Sequence, residues 1–161
     1  MTSKPISDAE FDRHLETYAQ VIERTLADKN EDTWLTTVVL ICQENVDLLG
    51  LVPGKGARKD TSLYDVLFEY GREIGGTRPV PSCVFVSVLC EREDGTDFIL
   101  VSGSTPDGRL NAARLELTRN RRRHFKLTQT HLYKLNDGMK SEGRTHSGEF
   151  VRGFLETSKL S

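Results

Sequence analysis

Between Thr118 and Lys126 the chain reads TRNRRRHFK, which gathers Arg119, Arg121, Arg122, Arg123 and Lys126 into nine residues. Guanidinium forks make paired hydrogen bonds to phosphate or carboxylate oxygens, so this spacing can grip an anionic backbone. Base stacking needs aromatic rings among the cations, and only Phe125 and Tyr133 lie near. At the tip of a hairpin the same side chains point alternately to either side. They then serve equally well to keep a strand edge wet and unpaired. A solvated turn and an anion- or nucleic-acid-binding hand are the two readings of this stretch.

The other chemistry-bearing residues are scattered. Gly54-Lys55-Gly56-Ala57-Arg58-Lys59 precedes a helix start at Ser62 and could form a nest of amides for a phosphate, or simply a connector. It lacks the glycine and lysine spacing of a P-loop. His124 and His131 are an odd number of residues apart, so on one strand they point to opposite faces and share no metal. His14 and His146 lie far away in sequence, and no metal site is expected. Cys42, Cys83 and Cys90 are odd in number and form no C-x-x-C pair, which suits small buried hydrophobes better than a disulfide or zinc framework. Ser102-Gly103-Ser104-Thr105 lacks the strand-to-helix setting of a nucleophile elbow. No catalytic group or cofactor is expected from these residues, and the balance leans away from an enzyme.

The charge is unevenly spread. Over 161 residues the net charge is −2, but residues 109–134 carry eight Lys/Arg against the single acid Glu116. That local excess permits an anionic partner or a self-complementary association. A chain this long holds one domain with a real core. The N-terminus has no basic stretch followed by an apolar one, and no apolar run is long enough to span a bilayer. A cytoplasmic protein without membrane contact is the expectation.

The elements that must position these residues are readable from periodicity. Ser7-Asp8-Ala9-Glu10 is a capping box, and Phe11, Leu15, Tyr18, Ile22 and Leu26 follow at helical spacing, predicting a helix over 8–28. Leu35, Val38, Val39, Cys42, Val46 and Leu49 fit a second helix over 33–49, although the β-branched run Thr36–Val39 favours a strand there. Ser62 opens a further helix ending at Gly75-Gly76. From Pro79 the apolar period becomes two. Turn signals at Asp94-Gly95, at Asp107-Gly108 and around Arg121 predict a four-stranded antiparallel meander over about 83–133. These turns pair Cys90 with Ile99, Leu100 with Leu115, Phe98 with Leu117, and Leu117 with Phe125.

On those registers one sheet face carries Phe85, Leu89, Phe98, Leu100, Leu115, Leu117, Phe125 and Leu127 and receives the helices. The other carries Val84, Val86, Val88, Cys90, Ile99 and Val101, a greasy patch that needs a cover. That cover is either a helix of the same chain or the same face of a second copy. The expected architecture is α+β: N-terminal helices on a four-stranded meander in a domain of residues 1–136. A linker and a short terminal helix follow over 137–161. The expected function is an interaction module, dimeric through Val84, Val86, Val88, Ile99 and Val101. An anion- or nucleic-acid-binding protein using Arg119, Arg121, Arg122, Arg123 and Lys126 is the alternative, and a small enzyme with no visible site is the third.

Overall fold

A computed structural model describes residues 5–29, 34–43, 45–50, 62–90, 96–119, 122, 124–134 and 144–158. Among the described residues, three helices, α1 (Asp8–Lys29), α2 (Leu63–Gly75) and α3 (His146–Ser158), accompany six strands. The strands are β1 (Thr37–Cys42), β2 (Asn45–Gly50), β3 (Cys83–Cys90), β4 (Asp97–Ser104), β5 (Leu110–Arg119) and β6 (Phe125–Tyr133). They form one antiparallel sheet in the order β2-β1-β3-β4-β5-β6. The class is α+β as expected, but the sheet has six strands rather than four.

α1 starts where the capping box places it: the Glu10 amide donates to Ser7 Oγ at 3.2 Å. Its stripe of Phe11, Leu15, Ala19, Ile22 and Leu26 is buried against one sheet face. α2 likewise begins at Ser62, whose hydroxyl accepts from the Asp65 amide at 3.2 Å.

The helix expected over 33–49 is instead the hairpin β1–β2. Every residue of β1 from Val38 to Ile41 is buried. Val38 and Leu40 face α2 and α3, while Val39 and Ile41 face α1. A strand buried on both faces is apolar at every position, so its pattern also satisfies a helical stripe. The turn gives no glycine signal either. Gln43 occupies the left-handed region, with φ of 57°, where hairpin turns ordinarily recruit Gly or Asn.

The three expected strand pairs, β3–β4, β4–β5 and β5–β6, form antiparallel, but each register differs from the expected one. Asp107-Gly108 is not the two-residue tip. The Thr105 amide donates to the Arg109 carbonyl at 3.1 Å, and Gly108 takes a φ of 93°, so the loop holds three residues. Ile99 thus faces Leu115, and Phe98 faces Glu116. On the preceding pair Cys90 meets Phe98, and Leu89 meets Ile99; the Asp94-Gly95 turn itself lies outside the described residues. The last hairpin pairs Arg119 with Phe125 and carries a bulge between Glu116 and Leu117. A one-residue slip sends a side chain to the opposite face. Ile99 and Val101 therefore lie under α1 with Phe85, Leu115, Leu117 and Phe125, whereas Phe98 and Leu100 point to the other side.

Two cores result. α1 covers the first face, most closely over β5 and β6. α2 and α3 cover the second face over β1, β3 and β4 with Leu67, Phe150, Val151 and Phe154. α3 starts at His146, and its phenylalanines belong to this second core rather than to an appended tail. The two helices pack backbone to backbone: a Cβ on Gly71 would sit 2.1 Å from the Phe150 carbonyl oxygen, and one on Gly153 would sit 2.1 Å from that of Phe68.

Candidate interaction surface

Helix cover is complementary on the two faces, and the described helices leave two parts of the sheet without a helix over them. On the first face, the open part lies at β2. The pairs Val39–Leu48 and Ile41–Val46 put Val46 and Leu48 on the α1 side, yet they are 61% and 67% exposed. Leu35, just before β1, is also exposed. Trp34 packs inward instead, donating Nε1–H to Ser87 Oγ at 3.2 Å. On the second face, the open part lies over β5 and β6. There Arg114 holds its guanidinium 4.0 Å above the Phe98 ring and pairs with Glu116 at 2.5 Å. That half carries the Arg114–Glu116 pair and the exposed Lys126. The β2 half has the aliphatic side chains of Val46 and Leu48.

The sheet's two edges differ in the same sense. β6 is bulged, and Lys126, Thr128 and Gln129 are exposed along it, features that discourage further pairing. β2 pairs with β1 over six unbroken rungs, with no lysine, proline or bulge. Its other face is tied down: Leu49 packs against the α2–α3 core, and Asp47 accepts from Arg78 at 3.0 Å. β2 is thus a firmly held strand that, among the described residues, pairs only with β1.

The five valine and isoleucine positions expected as a shared patch fall on two faces. Val84, Val86 and Val88 are buried under α2 and α3, and Ile99 and Val101 are buried under α1. Their cover is the chain itself, so they present no surface to a second copy.

The arginine hairpin is used partly within the chain. Arg119 pairs with Asp97, whose side chain is 9% exposed, at 3.5 Å, and lies 4.3 Å over the Phe125 ring. Arg122 and Lys126 are exposed, and Arg121 and Arg123 lie outside the described residues. A recess of about 490 Å³ beside Lys126 runs between β6 and the end of α1, with Glu23 among its walls. The glycine-lysine loop at 54–59 also lies outside the described residues.

The remaining candidates have structural duties. Ser102 Oγ accepts from the Ser147 amide at 3.0 Å, and Ser104 and Ser147 share a hydroxyl hydrogen bond of 2.7 Å, so this serine stretch seats the start of α3. Burial pushes the Cys83 thiol up to about 12 and raises Cys42 and Cys90 as well, which disfavours the reactive thiolate. His146 stacks on Tyr64 at 4.5 Å, and burial lowers its basicity. Beside it lies a recess of about 210 Å³ lined by Tyr64, Leu100, Ala112 and Arg144, smaller than ordinary ligand pockets. Arg144 is held there by Asp65 at 2.6 Å and Glu149 at 3.3 Å. Among the described residues no three His, Cys, Asp or Glu side chains converge to hold a metal, and no helix is long and apolar enough to cross a membrane.

No protein-family model, curated protein or solved structure matches the chain.

The exposed apolar edge of β2 is the feature that sequence reasoning missed. Its signal was present in the alternation Val46-Asp47-Leu48, but assigning the segment to a helix hid it.

Proposed function

We propose that this chain is a non-enzymatic interaction module that binds a protein partner through the edge of β2 and the aliphatic strip beside it. The observation that carries this reading is the exposure of Val46 and Leu48 on a regular strand that ends the sheet among the described residues. Such edges present unpaired backbone donors and acceptors, and proteins that do not use them blunt them. An added strand gains main-chain hydrogen bonds, while alternate side chains supply specificity. The anion-binding alternative is weakened by Arg119, which already serves Asp97 and Phe125.

A photo-crosslinking amino acid placed at position 48 tests this reading in cells that make the chain. Discrete protein adducts are expected from position 48 and none from a control at Glu69, an exposed position on α2. Equal or absent labelling at both positions would count against it.

A further inference from the structure

Resting on the reading of β2 as a binding edge, we propose that its occupant is β2 of a second copy, joined antiparallel into one twelve-stranded sheet. A two-fold axis perpendicular to the sheet makes a strand antiparallel to its copy and keeps each face on its own side. The two open aliphatic strips then merge into one patch. The two charged halves over β5 and β6 stay at the far ends.

The sequence of β2 selects the register. Residues directly opposite must share a face, so one residue sits on the axis and faces itself. Centring on Asp47 would set two carboxylates opposite each other, a destabilising cross-strand pair. Centring on Val46 or Leu49 shortens the ladder. Centring on Leu48 sets Leu48 against its copy, Val46 against Gly50 and Asp47 against Leu49. Val46 and Leu48 of both copies then lie side by side on the α1 face, and Gly50, beside which a Cβ would meet nothing, leaves room for Val46. Leu49 and Asp47 remain on the α2 side. There Asp47 keeps its pair with Arg78 at 3.0 Å.

Light scattering and cysteine crosslinking test the arrangement together. The wild type is expected at twice the 18.2 kDa chain mass. Leu48→Lys is expected as a monomer with unchanged circular dichroism, because the side chain is exposed and carries no core contact. In a Cys42→Ser, Cys90→Ser background, Leu48→Cys is expected to form a disulfide-linked pair under mild oxidation, since opposed Cβ atoms lie roughly 4.5–5.5 Å apart. Val46→Cys is not, because its two copies stand about 13 Å apart along the strands. A monomeric wild type at high concentration, or a Leu48→Lys dimer, overturns the second copy as occupant. If position 48 nevertheless crosslinks to a different protein, the binding edge stands with another partner. If it crosslinks to nothing, both fail.

Discussion

Arg119 shows how one residue of a cationic run can belong to the fold, through its pair with Asp97 and its place over the Phe125 ring. Removing it leaves the Asp97 carboxylate, with a side chain 9% exposed, without that guanidinium. Arg119→Ala is expected to cost about 1–3 kcal/mol in denaturant unfolding, the penalty of a buried polar group left unmatched. Arg122→Ala, on an exposed turn, is expected to shift stability by less than about 0.5 kcal/mol. Similar small losses for both would remove the structural role given to Arg119. A second residue-scale effect concerns His146. Burial lowers its folded basicity, so the unfolded chain takes up a proton at higher pH than the folded one. Stability present at neutral pH is therefore lost as pH falls through the ordinary histidine value of 6.5 toward the lower folded one. His14, lowered chiefly by its own burial and by Arg13, acts in the same direction. In a His14→Gln background, His146→Phe keeps a ring against Tyr64 and is expected to flatten the urea midpoint between pH 7 and pH 5. A slope unchanged by that substitution would place the titration elsewhere.

At the scale of elements, the α2–α3 pair depends on the absence of two side chains. A methyl at Gly71 or Gly153 would collide with the backbone of the facing helix. Gly71→Ala is expected to destabilise by about 1–3 kcal/mol despite alanine's better helix propensity, which thermal and urea unfolding would measure. A stabilised variant would mean that the helices are not in this close contact. Val86→Glu, which would split a dimer joined through Val86, is expected instead to unfold the chain by burying an unpaired charge between β3 and α3. Helices α1 and α2 were legible from caps and stripes because each has one buried face and a polar signal at its start. The β1–β2 hairpin was not, since burial on both sides of β1 erases the alternation that marks a strand. The meander strands were legible, but their registers depended on loop lengths. The Gly108 loop holds one residue more than its Asp-Gly signal suggested, and that alone moved Phe98 away from Leu117. That the arginine run joins β5 to β6 was legible, but its register was not, since Arg119 pairs with Phe125. The exposed strip on β2 was not legible either, because exposure depends on where α1 and the α2–α3 pair settle.

For the whole molecule, the described helices on opposite faces leave one region of the sheet aliphatic and the other charged. Only the first lies beside an unblunted edge, so association is expected to grow the sheet through β2. Leu48→Lys changes an exposed side chain and is expected to leave the unfolding free energy of the isolated chain within about 0.5 kcal/mol of wild type. Its effect lies in assembly. Amide hydrogen exchange along β2 tests this most directly. Alternate β2 amides already donate to β1, and the others point away from the sheet. In the wild type, those outward amides are expected to be protected, and Leu48→Lys is expected to release them while β3 stays slow. Outward amides exchanging at solvent rates in the concentrated wild-type protein would contradict strand pairing between copies.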